Sequence, residues 1–146
     1  MKYPVAGLLL LGLAACGAES AEPELDTAYC LVRQGANLCK DRQQYLIFRT
    51  NGDVEAWNGF QGINRFERFG TLNDEMEIID SYDEVFGKLK PSSGGFQLLS
   101  EANPNNRSSF VLRYDAADAT KLNSLFSATA GLEFEDRQPV IDQHQP

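Results

Sequence analysis

Few side chains in this 146-residue chain have the chemistry of a nucleophile or of a metal ligand. The thiols are Cys16, Cys30 and Cys39, and the single histidine is His144, close to the end of the sequence. There is no G-x-S-x-G nucleophile motif and no glycine-rich phosphate-binding loop. We therefore predict no catalytic residue, no cofactor and no metal site, and the cysteines carry the chemistry that the sequence does indicate.

Cys16 follows a segment typical of an export signal. Lys2 supplies a positive charge, residues 5–13 are apolar or small throughout, and Ala14 and Ala15 leave room for a protease at a scissile bond. The apolar run is shorter than the roughly 20 residues that a membrane-spanning helix requires. We therefore expect a signal peptide rather than a transmembrane anchor.

The motif Leu13-Ala14-Ala15-Cys16 resembles the lipobox of bacterial lipoproteins at all four positions. This resemblance covers residues 1–17 and implies that residues 1–15 are removed and that Cys16 becomes an acylated N-terminus, with lipid on its sulfur and further chains such as palmitate. Several acyl chains anchor a protein stably. Gly17 stands where an aspartate would retain such proteins at the inner membrane, so the resemblance implies the outer membrane, with the protein facing the periplasm. The alternative is an ordinary secretory signal with a chance cysteine.

The chain is acidic, with 21 Asp and Glu against 13 Lys and Arg. Loss of the signal peptide removes one lysine and no acid, which leaves a net charge of about −9. Such a chain is a poor partner for nucleic acid, and anionic lipid would repel it, so the lipid anchor must hold it on the membrane. The charge keeps a small domain soluble and would attract a cationic protein partner.

In an oxidising periplasm the remaining pair, Cys30 and Cys39, is most simply a disulfide. The spacing does not fit a redox C-x-x-C motif, and zinc would need further ligands. If Gln34-Gly35 is a two-residue turn, Arg33 pairs with Ala36 and the two cysteines lie directly opposite each other. Their Cα atoms would then approach to about 4.5 Å, which a disulfide can bridge.

Composition divides the mature chain into a tether, one domain and a tail. Residues 16–28 contain the lipidated cysteine and a small, acidic, polar tether. Residues 29–136 suffice for one compact domain with one core. Residues 137–146 are rich in glutamine and contain two prolines, and we expect them to be a flexible tail.

The clearest predicted element is a β-hairpin around Asn51-Gly52. A two-residue loop would place Phe48 opposite Glu55. A three-residue loop, residues 50–52, places Phe48 opposite Val54 instead. We predict the second register because it keeps one face of the hairpin apolar and the other charged.

Shorter apolar runs predict further strands, and a 3.6-residue stripe predicts one helix over residues 116–130 with Leu122, Leu125 and Phe126 facing the sheet. We expect the fold to be α+β and mainly β: a single antiparallel meander, sheet or small barrel with this one C-terminal helix packed against it. The predicted strands besides the hairpin are residues 63–69, 76–79, 85–89, 96–99 and 109–114, with an edge strand at 132–135.

Two segments allow a functional reading beside a structural one. Residues 73–84 hold six carboxylates, which would suit a calcium site or a hydrolytic carboxylate pair. They lack the spacing of an EF-hand, and such a segment more often forms a solvated strand edge and loop.

Residues 57–60 combine Trp57 and Phe60 with an amide, as sugar-binding surfaces do. The structural alternative is that Trp57 pairs with Tyr45 across the hairpin and covers the core.

A second resemblance is to the META-type domain of small bacterial lipoproteins. It covers residues 45–72 and consists of Phe48-x-x-x-Gly52-x-Val54 followed by Gly62-Ile63-Asn64-Arg65-Phe66 and Gly70. The chain departs from that family in a longer gap between the two halves and at Ile63, where a cysteine is usual. This resemblance implies a β-hairpin followed by a glycine turn, and it implies no activity.

Together these patterns predict a lipid-anchored protein of the cell envelope, not an enzyme, with a binding, scaffolding or assembly role and a possible protein partner. The first alternative is an acidic inhibitor of a cationic enzyme such as a lysozyme, whose binding salt would weaken. The second is a hydrolase that uses two of the clustered carboxylates.

Overall fold

The computed structural model describes residues 22–33, 36–37, 39, 43–92, 95–99, 110–114 and 119–144. Within these residues the chain forms nine strands, two helices and two 3-10 turns. None of the helices in the described ranges is long and apolar enough to cross a membrane. The strands are β1 (Tyr29–Arg33), β2 (Ala36–Asn37), β3 (Gln44–Phe48), β4 (Asp53–Asn58), β5 (Arg65–Leu72), β6 (Glu77–Ile79), β7 (Val85–Ser92), β8 (Gly95–Leu99) and β9 (Phe110–Tyr114); the helices are α1 (Ala119–Ala128) and α2 (Gln138–Gln143); the 3-10 turns are Phe60–Gly62 and Phe134–Asp136.

The strands form one antiparallel sheet that closes on itself. Strands β3 to β9 pair in chain order, β3 pairs with β1, and β1 pairs along its other edge with β9. The two-residue strand β2 extends the β1 hairpin beyond the end of the β1–β3 pairing. Closure removes the free strand edges that would otherwise invite aggregation. The predicted mainly β fold, with a small barrel and a C-terminal helix, is confirmed.

The barrel has an apolar interior supplied by six of its strands. Because successive residues of a strand point to opposite faces, Leu46 and Phe48 of β3 share the inner face. The ring of Tyr29 lies edge-on to Phe48 at 5.5 Å and to Phe96 at 6.0 Å. The buried members of this interior cluster are Tyr29, Leu46, Phe48, Val54, Ile78, Leu89, Phe96 and Leu98.

The outer face of β1, β3, β4 and β5 is also apolar, and the two helices cover it. Tyr45 and Ile47 alternate with the inner residues of β3, which explains why this strand is a continuous apolar run. The residues of this second cluster are Ala28, Cys30, Cys39, Tyr45, Ile47, Trp57 and Phe66 on the barrel side and Leu125, Phe126 and Ile141 on the helices.

The hairpin register is the predicted one, with Phe48 opposite Val54 and Leu46 opposite Ala56. Gly52 has a φ of +93°, as the left-handed position of a three-residue loop requires. The expectation for the second face was wrong, however. That face carries Glu55, yet Glu55 is buried, because the C-terminal segment folds over it.

Helix α1 confirms the predicted stripe over Ala119–Ala128, with Leu125 and Phe126 buried against the barrel and Leu122 partly buried. A turn follows and ends at Gly131, whose φ of +76° is typical of the residue after a helix. The start of the predicted helix, residues 116–118, lies outside the described residues.

Three boundary predictions were wrong. Residues 132–135 do not form a strand but lead into the 3-10 turn Phe134–Asp136. The expected flexible tail is folded up to residue 144, since α2 buries Ile141 against the outer core cluster. At the other end, part of the expected tether belongs to the domain: Leu25 forms a parallel bridge with Phe48, and Ala28 is fully buried. The strand predictions after residue 60 correspond to β5 to β9 with shifted ends.

Candidate binding cleft and the charge cluster behind it

Cys30 and Cys39 lie within disulfide distance, with 5.5 Å between their Cα atoms, and both are buried. The predicted hairpin register is present, because Arg33 pairs with Ala36. Cys16, the predicted lipid attachment site, lies outside the described residues.

The predicted cross-strand position of the two cysteines was wrong. Strand β2 ends at Asn37, and the ladder partners of Cys30 are Tyr45 on one side and Arg113 on the other. Cys39 therefore approaches Cys30 from beyond the end of β2 rather than from the facing position in a ladder.

The acidic segment 73–84 is spread over strand β6 and the two turns that flank it. A carboxylate oxygen of Asp80 accepts hydrogen bonds from the backbone N–H groups of Tyr82 and Glu84, at 2.8 and 3.0 Å, and so shapes its own turn. In the described part of the chain no group of three or more His, Cys, Asp or Glu side chains could hold a metal ion.

A cleft of about 570 Å³ lies between the outer face of the barrel and the two helices. Its volume lies within the range of small-molecule sites. The barrel contributes Tyr45 and Trp57 to its apolar lining, and the helices contribute Leu122, Leu125 and Ile141. The cleft therefore has an aromatic wall on one side and an aliphatic wall on the other.

The polar lining of the cleft consists of amides and two basic side chains. Gln43, Gln61 and Asn64 supply the amides, and Lys121 and His144 come from the helical side. Nδ1 of His144 donates to the carbonyl oxygen of Val140 at 2.9 Å, which fixes the ring to α2. Among the described residues that line the cleft, none is an aspartate or a glutamate.

The loop between β4 and β5 forms the rim of the cleft. Gln61 and Asn64 have positive φ angles of 55° and 51°, a conformation that is uncommon outside glycine. The backbone N–H of Phe60 donates to the side-chain oxygen of Asn58 at 3.1 Å, and this bond pins the start of the loop. Phe60 and Ile63, the chain neighbours of these lining residues, are 38% and 44% exposed.

Trp57 belongs to the core as well as to the cleft. It pairs with Tyr45 across the hairpin, as the structural interpretation of this segment predicted, and its ring packs edge-on against Phe66 at 4.8 Å and Phe126 at 6.1 Å. It is buried, so it serves as a wall and not as an exposed platform for a sugar ring.

Two buried arginines hold the helical side of the cleft in place. Glu55, only 1% exposed, accepts a bidentate pair of hydrogen bonds from Arg137 and one bond from Nε of Arg49 at 3.2 Å. Both guanidinium groups also lie over the ring of Phe66, at 5.3 Å for Arg49 and 4.9 Å for Arg137. Buried charges of this kind are tolerated only when they are paired and hydrogen-bonded.

The remaining donors of the two arginines bind the polypeptide around the helices. Arg49 donates to the carbonyl oxygen of Phe126 at 2.6 Å, to the hydroxyl of Thr129 at 3.0 Å and to Asp26 at 2.9 Å. Arg137 donates twice to the carbonyl oxygen of Leu132, at 3.0 and 2.8 Å. The cluster thus fixes the end of α1 and the start of α2 on the barrel.

The sequence does not predict this cluster. Glu55 belongs to the predicted hairpin, which has one charged face, and Arg137 belongs to the predicted tail. The available signal was that the same face also carries Ile47 and Trp57, since large apolar residues among charges indicate a covered face.

No protein-family model, curated protein or solved structure matches this chain. The cleft and the sequence motifs are therefore the features from which a function can be inferred.

Proposed function

We propose that the protein is a lipid-anchored, non-catalytic binding protein of the cell envelope and that the cleft is its binding site. The observation that carries this proposal is the cleft of about 570 Å³ with apolar walls and a few polar groups at its mouth, which is the usual composition of a ligand site. Buried ion pairs fix the helices that form one wall, so the site is held open before a ligand arrives.

The position of the cleft suits an anchor at Cys16. The chain enters the barrel at Leu25, beside Phe48 and the β3–β4 loop. The cleft lies at the opposite end of β4, where residues 59–64 connect to β5. The eight residues between Cys16 and Leu25 allow a separation of at most about 30 Å when extended. The barrel would therefore stay near the membrane with its cleft directed toward the periplasm.

We also propose that Cys30 and Cys39 are bonded to each other in the mature protein. Cys39 lines the cleft, and a bond to β1 would hold this part of the lining against the barrel. An oxidising envelope compartment favours such a bond.

Two measurements on the full-length protein test the proposal. Intact-mass analysis should show cleavage before Cys16 with added lipid mass, and Cys16→Ser should abolish the lipid. Affinity capture from the native envelope should recover a component that is lost from the variant Gln43→Ala/Gln61→Ala, which removes two exposed amides of the cleft lining, but kept by Tyr82→Ser, which changes an exposed side chain outside the cleft. An unlipidated protein would contradict the anchor, and an identical set of captured components for all three proteins would contradict the cleft.

A second candidate, an inhibitor of a cationic enzyme, is favoured by the turn that follows β6. Tyr82 is 83% exposed there and lies next to the exposed acids Asp83 and Glu84. A projecting aromatic ring flanked by carboxylates would suit a basic surface. If this candidate is right, the protein should bind a basic lysozyme at low salt, and Tyr82→Ala should weaken the binding. Binding that neither salt nor Tyr82→Ala changes would contradict it.

A further inference from the structure

We propose that the ligand of the cleft is a small amphipathic anion: a molecule with an apolar body and one carboxylate or sulfonate group. This inference rests on the proposed binding role of the cleft and is independent of the lipid anchor. It deepens that role because it names the chemical class that the lining recognises.

The charge of the lining is the first ground for an anion. The chain has a net charge of −8, but no carboxylate is among the described residues that line the cleft. Lys121 lines the cleft, and its side chain is exposed. On so acidic a protein, a cleft whose described lining contains a lysine and no carboxylate favours an anionic group over a cationic one.

The apolar walls are the second ground, since they call for a ligand that is more than an inorganic anion. A phosphate or sulfate ion would make no apolar contact with the parts of Trp57, Leu122 and Ile141 that line the cleft. An apolar body packed between these walls would instead bury surface on both sides.

The positions of the buried and exposed lining residues also indicate how such a ligand would be oriented in the cleft. Leu125 and Ile141 lie at the buried inner part of the lining, whereas Lys121 is exposed on the helical side. The apolar body would therefore enter first and the anionic group would remain at the mouth beside Lys121. The amides of Gln43 and Gln61, which are also exposed, would offer further donors.

Trp57 makes the proposal directly measurable, because it is the single tryptophan of the chain and lines the cleft. The probes are phenylbutyrate and phenylbutyramide, which share an apolar body and differ in charge. Each is titrated into the full-length lipidated protein in a non-ionic detergent while tryptophan fluorescence is recorded. We expect a saturable change with the acid, and half-saturation at about tenfold higher concentration with the amide, as the loss of one charge-assisted bond implies.

The matched variants are Lys121→Glu and Lys88→Glu. Both replace an exposed lysine and change the net charge equally, but Lys88 lies on β7 outside the cleft lining. Lys121→Glu should raise half-saturation by the acid about tenfold or more, with unchanged circular dichroism, whereas Lys88→Glu should leave it within about twofold.

Each contrary result has a distinct meaning. Equal binding of acid and amide, or equal effects of the two variants, would overturn the anionic class but leave a binding cleft. The absence of any saturable change with either probe would overturn this inference, while capture of an envelope component that depends on Gln43 and Gln61 would still support the proposed function.

Discussion

Glu55 and Arg137 are 82 residues apart in the sequence and form a bidentate ion pair in the buried interface between the barrel and the C-terminal segment. Arg49 completes the charge balance on the other side of Glu55, together with Asp26. One glutamate of β4 thereby receives both arginines that hold the two helices. The interface thus contains buried charges beside its apolar cluster, and its stability depends on every one of these charged groups finding its partner.

Removal of Arg137 should therefore be costly. Arg137→Ala leaves the buried carboxylate of Glu55 with one partner fewer and frees the carbonyl oxygen of Leu132, so we expect a loss of about 3–5 kcal/mol in unfolding free energy. Urea unfolding of the full-length protein measures this loss. The control is Arg65→Ala, which breaks the exposed pair with Glu67 and should cost less than about 1 kcal/mol. Equal costs for the two variants would show that the Glu55 pair is not buried as described.

The docking of α1 depends on Phe126, which is completely buried between the helix and the barrel. Phe126→Ala should cost about 3–5 kcal/mol, the usual range for loss of a buried aromatic ring. Ser124→Ala, on the exposed side of the same helix, should change stability by less than about 0.5 kcal/mol. If urea titrations place both variants close to the wild type, α1 does not pack on the barrel.

Gly70 of β5 is required by the close approach of β6. A Cβ atom at this position would lie 2.1 Å from the carbonyl oxygen of Ile79, which belongs to the backbone and cannot move aside. We expect Gly70→Ala to destabilise the protein by about 3 kcal/mol or more. Gly62→Ala meets no atom and carries only the cost of its positive φ, about 1 kcal/mol, so thermal or urea unfolding should rank the two clearly. A Gly70→Ala protein as stable as the wild type would place β6 farther from β5.

The cysteine pair should be oxidised in the exported protein. Thiol labelling of the denatured, unreduced mature protein should then modify neither Cys30 nor Cys39. Replacement of both residues by serine should lower stability by about 3 kcal/mol, the chain-entropy value for so short a loop. Labelling of both thiols, or a dimer that disappears on reduction, would rule out the intramolecular bond.

Local patterns predicted a large part of this fold, because the features concerned are local in origin. The Asn51-Gly52 turn and the alternation of β3 determine the hairpin register, and the spacing of Leu122, Leu125 and Phe126 determines the buried side of α1.

The C-terminal segment and the cleft were not predictable in this way. Helix α2 has six residues, too few for a periodic signal, and is held by the burial of Ile141 and by the Arg137 pair. The cleft combines side chains from β3, β4, the β4–β5 loop and both helices. No continuous segment of the sequence predicts this cleft, because it forms only after the helices have docked on the barrel.

The central claim is that a component of the cell envelope occupies the cleft. Site-specific photo-crosslinking in living cells tests it most directly, with the photoreactive residue at Gln61 in the cleft lining, at Tyr82 on the acidic turn and at Lys88 on β7 as background. Our account predicts a specific adduct from position 61 that is absent from positions 82 and 88. An adduct from position 82 alone would favour the inhibitor, and no adduct above background from position 61 would contradict the account.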